Sequence, residues 1–449
     1  MSIPTVSPPA PRNTTFGVAI ASLVGSALEW YDYYLYAIAA ALVFNHIIFV
    51  NSNQAVATLA AFATFALGYF IRPLGGLIFG RLGDRLGRKT ILVVTLLIMG
   101  TATFLMAFIP TYAIAGIWSP ICLIALRLIQ GIGAGAEFGS AAVFSVENAN
   151  PRRRGLQGAW PASGVYLGLL IASGIFAIVT QLPKDQFLAW GWRVPFALSA
   201  IVVIVAIIIR LHLAESPAFV ELHNENKALP TPVKEVFLHE KKGMLVLMLV
   251  QTPQNVVSSI NLAFIASYLI GNLKLANSIG PIATTVGTAV TMISIPIFGA
   301  LSDRVGRKPV ILTGMVFSAL FAFPYFWIIQ GGRTELLVTV AVMLSLGIGI
   351  GCMLGPQAAY FAELFTGSGR VTGLSFAREL AGALTAGTTP LIAVALVAAT
   401  GGLSWSVSML IIVACVIGIV TITIGGETRG RNLRTINVSD LKASTGSFE

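Results

Sequence analysis

The residues that could do chemistry are few, and several stand where charge is expensive. Glu29 and Asp32 lie three apart in the apolar run SALEWYDYYLY. On a helix that spacing puts both carboxylates on one face. Two acids that close, withdrawn from water, favour one of them holding a proton, which is what a proton carrier needs. The competing reading is a structural salt bridge to an arginine. Arg72, just before Pro73, and Arg127, with Gln130 on its helix face, carry planar forks that grip a carboxylate bidentately. Against substrate binding stand two structural roles: Arg127 neutralising Asp32 or Glu137, and Arg72 snorkelling to the membrane surface. Glu137 sits among Gly133, Gly135, Ala136 and Gly139, small residues that let a second helix approach, so it is expected to face protein. It is the third proton-coupling candidate. Arg378 adjoins Glu379 late in the chain; adjacent residues do not share a helix face and need not pair. Gln251, Asn255 and Ser258 follow a four-then-three spacing that lines one face, with uncharged donors suited to a hydroxylated substrate or to a wet helix contact. The substrate-binding candidates from these residues are Arg72, Arg127, Gln251, Asn255 and Arg378.

A second group repeats. GRLGDRLGRK at 80–89 and GALSDRVGRK at 299–308 agree at seven of ten positions, 219 residues apart. Gly80, Asp84, Arg85, Gly87 and Arg88 thus correspond to Gly299, Asp303, Arg304, Gly306 and Arg307. The glycines permit tight turns, and each aspartate suits an arginine or a helix N-terminus. Basic loops alone would satisfy membrane topology, but an aspartate placed identically in both copies points to a gate. Glu147 and Glu363, near the ends of apolar runs, are placed to meet these loops as a latch.

The elements that position these residues follow from composition. The chain has 449 residues, 56% of them hydrophobic and 10% charged, with a mean hydropathy of +0.85. A soluble domain is charged at about a quarter of its positions, so an ordinary cytosolic enzyme is excluded, as is disorder. Spanning a bilayer takes about 20 mostly apolar residues. Windows of that kind fall at 17–44, 53–79, 90–109, 117–147, 156–180, 192–212, 243–271, 279–300, 309–330, 336–362, 371–398 and 404–425. The expected fold is an all-α membrane protein with twelve transmembrane helices. The first window is read as retained rather than as a cleaved signal. Cys122, Cys352 and Cys415 and the four histidines show no metal spacing, and no metal is expected. Walker, GxSxG and HExxH motifs are absent from the sequence, so neither an ATP-driven pump nor a known membrane hydrolase is indicated.

Cytoplasmic loops retain Lys and Arg. Placing the N-terminus inside gives the inner side 21 basic residues, among them Arg152, Arg153, Arg154, Arg210, Lys241, Lys242 and Arg370. The outer side receives four: Lys184, Arg193, Lys274 and Arg333. Both termini are expected in the cytoplasm and the protein in the cell membrane. The net charge of +10 is explained by insertion, without nucleic acid. The expected organisation is a tail at 1–16, a six-helix bundle at 17–212, a polar middle segment at 213–242, a second bundle at 243–425 and a tail at 426–449.

The repeated G-x-L-x-D-R-x-G-R-K loop resembles the signature of the major facilitator superfamily. ALEWYDYYLY (27–36), RPLGGLIFGRLGDRLGRK (72–89), RLIQGIGAGAEFGSAAVFSVENANPRRRG (127–155) and WGWRVPF (190–196) resemble its metabolite:proton symporter family. TLAAFATFALGYFIRPLGG and DQFLAWGWRVPF are similar to the shikimate-type branch, whereas QTPQNVVSSINLAF departs from the aromatic, acid-containing stretch expected in the seventh span. The resemblance implies two pseudo-symmetric six-helix bundles with the substrate between them, alternating access, and import of a small organic acid driven by protons. It implies no bound cofactor, the proton being the coupling ion, and a monomer in the lipid bilayer. It also implies a functional arginine at the RPLGG and GWR positions, Arg72 and Arg193. Beside Trp190 and Trp192, Arg193 reads equally as an interfacial anchor. Three alternatives have signatures of their own. Osmolyte symporters for proline or betaine carry a long coiled-coil tail, whereas the tail here after about residue 425 is short. Drug:proton antiporters carry a GP motif in the fifth span, where GAWPASGVYLG offers only Pro161 and glycines. A non-transporting sensor or membrane enzyme would need an appended domain or a catalytic constellation.

Overall fold

A backbone in lipid must satisfy its own hydrogen bonds, and a chain this apolar does so as helix. The computed structural model describes residues 14–50, 54–212, 215, 237–238, 240–276, 279–332, 334–365, 369–431 and 433, and every regular element among them is helical. Much of the middle segment and of both tails lies outside the described residues.

Twelve long helices follow one another. The first six are α1 (Thr15–Ala39, continued by a π-turn at Ala40–Phe44), α2 (Gln54–Phe70 and Arg72–Leu86), α3 (Arg88–Met106), α4 (Trp118–Ala134 and Glu137–Glu147), α5 (Arg154–Val179) and α6 (Arg193–Leu211). The second six are α7 (Lys241–Ser259, then a π-turn and Ile265–Gly271), α8 (Ile279–Val305), α9 (Arg307–Gly332), α10 (Glu335–Leu344 through to Gln357–Leu364), α11 (Arg370–Ala381 and Thr389–Ala399) and α12 (Trp405–Gly425). Ten of these are long and apolar enough to span a membrane on length and composition alone; α1 and α2 complete the set. Several helices are interrupted: α2 at Ile71, α4 at Gly135–Ala136, α7 at Ile260–Phe264, α10 at Ser345–Ile350 and α11 at Gly382–Ala386. Breaks at membrane depth survive only where protein or a cavity covers the freed backbone. That is where a binding site is to be sought.

Helices α1–α6 form one bundle and α7–α12 the other. In the first, α1 lies along α5 and α3 along α6; in the second, α7 and α9 both pack on α12. The bundles meet along α5–α8 and α2–α11. Glycine permits the first contact: a Cβ at Gly155 would stand 2.4 Å from the Gly299 carbonyl oxygen. The lipid-facing surface is apolar, with Ile424 82% and Leu320 74% exposed. Trp192 corrects one expectation. It is fully buried between Phe44 and Phe196 rather than lying at an interface, and Trp190 beside it is the half-exposed one.

Candidate functional site

The break in α2 puts Arg72 at the first turn of a new helical segment, with Pro73 tolerated there for want of an N–H partner. Arg72 is 2% exposed and lies on the seam between the bundles. Arg72 pairs with Glu29 of α1, and its Nε stands 2.9 Å from Glu379 Oε2 of α11. Glu379 also pairs with its neighbour Arg378, whose guanidinium packs 3.7 Å from the Phe138 ring centroid of α4. Adjacent positions therefore do meet here, because the Arg378 stem is long enough to curl back. Trp30, Tyr33 and Tyr69 surround Arg72 at 5.4–5.9 Å from their centroids, within reach of cation–π attraction. A buried charge without such partners would cost several kcal/mol.

Arg127 extends the site into the first bundle. It stacks 4.3 Å from the Tyr36 centroid, and its Nη1 donates to Gln130 Oε1 at 2.5 Å. Gln130 Nε2 donates to Thr103 Oγ1 at 2.6 Å, and the Thr103 hydroxyl donates to Asp32 at 2.7 Å. A guanidinium and a carboxylate are thus joined through two neutral side chains. Glu29, Tyr33, Arg72, Met99, Arg127 and Gln130 line a narrow cavity of about 10 Å³, room for about one water in this arrangement.

Other candidates lie elsewhere. Glu137 pairs with Arg210 of α6 and accepts from Thr95 at 2.8 Å, inside the first bundle and away from the seam. Arg210 was expected among the basic residues of the inner surface; instead the last turn of α6 faces inward, and the guanidinium is buried against Glu137 and the Leu92 carbonyl. Arg193 sits at the opposite end of α6, donating to the carbonyls of Ala189 and Ile109 and lying over Trp192. Its described contacts are those of a helix-end anchor. Gln251 and Asn255 share a face as expected, but Asn255 donates to Thr385 at 2.7 Å and ties α7 to α11 outside the cavity lining.

The repeat loops converge at one end and close it. Asp84 accepts from the Val371 and Thr372 amides and the Thr372 hydroxyl, the last at 2.6 Å, at the start of α11. Asp303 accepts from the Gly155 and Leu156 amides at 2.8 and 2.9 Å, at the start of α5. Each acid satisfies orphan helix-terminal donors of the other bundle, where the helix dipole also favours negative charge. Glu147 binds Arg370 at 2.7 Å and faces Arg88 at 3.4 Å; Glu363 faces Arg307 at 3.6 Å and Arg154 at 3.7 Å. Each glutamate thus joins an arginine of its own bundle to one of the other. Gly87 and Gly306 adopt φ values of 99° and 110°, left-handed conformations that favour glycine. The helix that follows each is capped by a further acid. Glu215 takes the amides of Arg88 and Lys89, and Glu427 takes those of Arg307 and Lys308. Arg85 and Arg304 remain exposed. Sequence reasoning missed Glu215 and Glu427. Their signal is a Glu followed by Ser or Thr just after the sixth and twelfth helices.

Two helical bundles that share a buried ionic cluster, with matched latches at one end, define a membrane transporter rather than an enzyme. The Major Facilitator Superfamily profile matches residues 22–386, and the chain belongs to that family. It is 36% identical to the shikimate transporter of Escherichia coli (strain K12), over 90% of this chain and 92% of the relative. It is 32% identical to the proline/betaine transporter of the same organism, over 94% of this chain and 86% of the relative. Its fold is similar to that of the proton:xylose symporter XylE, with a TM-score of 0.73 over 94% of this chain and 98% of that one at 15% identity. The protein is a multi-pass membrane transporter.

Proposed function

We propose that the protein imports a small organic acid together with a proton by alternating access, as a monomer in the inner membrane with both termini cytoplasmic. The observation that carries this reading is Arg72, a buried guanidinium on the seam beside a small cavity. Arg72 receives the substrate carboxylate, with Arg127 as the second cationic wall, and donors such as Gln130 serve hydroxyl groups. The coupled proton needs no bound cofactor and is held by a buried acid beside Arg72, with Glu29 and Asp32 the candidates that the first bundle offers. The bundles at 17–212 and 243–425 rock as units, and Asp84 and Asp303 release when the latched end opens. Similarity to a shikimate transporter favours a hydroxylated monocarboxylate. A second reading rests on the proline/betaine relative and on Trp30, Tyr33 and Tyr69, since aromatic rings also attract quaternary ammonium groups. Proteoliposomes with an inside-alkaline pH gradient, offered labelled shikimate, 2-oxoglutarate, citrate, proline and betaine, separate the two. Accumulation of an acid that collapses with a protonophore is expected. Accumulation of betaine alone, or acid uptake that ignores the protonophore, would overturn the reading.

A further inference from the structure

Of the ion pairs around Arg72, one is made within a bundle and one across the seam. Glu29 belongs to the same bundle as Arg72 and moves with it. Glu379 belongs to the other bundle, so rocking must break or exchange its bond to Arg72. Apart from the latch residues, the charges described within the spans also balance: Glu29, Asp32, Glu137 and Glu379 against Arg72, Arg127, Arg210 and the partly exposed Arg378. A monoanionic substrate entering this set leaves one negative charge in excess, and excess charge in a low-dielectric site is expensive.

We propose that Glu379 is the resident counter-ion that the substrate displaces. The incoming carboxylate takes the place of Glu379 on Arg72, and Glu379 then holds the coupled proton. The inference rests on the reading of an anionic substrate and names the acid that couples it. The exchange balances: the Arg72 ion pair passes from one carboxylate to another, an O–H bond forms on Glu379, and the proton comes from the medium. Glu379 loses one of its two guanidinium partners, whereas Glu29 keeps Arg72. The groups around Glu379 are Arg72 and Tyr69 of α2, Glu29 of α1, and Arg378 of α11. On α4, Glu137 is occupied by Arg210, and α7 contributes the uncharged Gln251 and Asn255. Glu379 is accordingly a positioning residue that lends Arg72 to the substrate at the moment the proton arrives.

The test is proton uptake on binding, in purified full-length protein in weakly buffered detergent with a pH indicator. Shikimate is the carboxylate probe and its uncharged methyl ester the control. Wild type should take up about one proton per shikimate bound and none with the ester, and its shikimate affinity should weaken about tenfold per pH unit on the alkaline side. Glu379→Gln should bind shikimate with no proton uptake and with an affinity flat in pH. Glu379→Asp, which keeps a carboxylate, should restore the proton. Undiminished proton uptake in Glu379→Gln, or shikimate binding without a proton in Glu379→Asp, overturns the assignment while the anion reading stands. If wild type binds none of shikimate, 2-oxoglutarate and citrate, the anion reading itself fails and the assignment falls with it.

Discussion

At the scale of single residues, the site depends on what a guanidinium fork can do that an ammonium cannot. Arg72→Lys keeps the charge but gives up planar, paired donation. Losing one charge-assisted bond costs about 1.5–3 kcal/mol, or roughly tenfold to a hundredfold in affinity. Binding of carboxylate substrates should fall by that factor and binding of uncharged analogues much less, as equilibrium binding on purified protein would show. Arg210 calls for a different experiment, because its partner Glu137 is fully buried. Arg210→Leu leaves an uncompensated carboxylate, at a cost of about 3–5 kcal/mol. Thermal unfolding in detergent should drop sharply for that variant and recover when Glu137→Gln is added; an unchanged Tm would mean that the pair carries no structural weight. These residues also show what a sequence reveals at this scale. Arg72, Arg127 with Gln130, and Glu29 were legible, since a charge inside an apolar run announces itself. Arg210 was misplaced because it stands at the end of α6, where hydropathy does not say which way a long stem turns. Glu379 was passed over because its value lies in a contact with α2 more than 300 positions away in sequence.

Between helices, the closed end is held by two latches built alike. Asp84→Asn keeps a side-chain acceptor but removes the charge that faces the start of α11. Such helix-terminal interactions are worth about 0.3–1 kcal/mol when exposed and about 2 when partly buried. Transport should fall while membrane insertion and expression stay near wild type. A cysteine reporter placed at exposed Arg85 should react faster with a bulky thiol reagent in that variant. Wild-type turnover with unchanged labelling would reduce the repeat loops to topology signals. The loops were legible because they repeat at seven of ten positions, and Glu147 and Glu363 because they end apolar runs beside basic residues. A second repeat escaped notice: Gly131, Gly133, Gly135, Gly139 and Glu147 recur as Gly347, Gly349, Gly351, Gly355 and Glu363. Its glycines read as generic close packing until the structure shows α4 and α10 bending within them. The interruptions of α7 and α11 were likewise invisible, since π-turns arise from packing and leave no compositional mark, whereas Pro73 marks the break in α2.

For the molecule as a whole, twelve spans were readable because hydropathy alone sets where a chain can cross lipid. The split into two bundles followed from the spacing of the repeats. Topology is open to a direct check. A C-terminal alkaline phosphatase fusion should be inactive, because that reporter folds only outside the cytoplasm; an active fusion would invert the assignment. The balance of four acids and four arginines in the spans has one more consequence, and it concerns voltage. Moving one elementary charge through 100 mV is worth about 2.3 kcal/mol. A carrier whose empty site is neutral, and which takes on a monoanion only with a proton, moves no net charge in either half of its cycle. A potassium diffusion potential imposed on proteoliposomes without a pH gradient should therefore drive no accumulation, whereas a pH gradient at zero potential should drive it fully. The membrane battery would then be read through its chemical half alone, and the cell's ability to concentrate the substrate would follow the acidity of its surroundings.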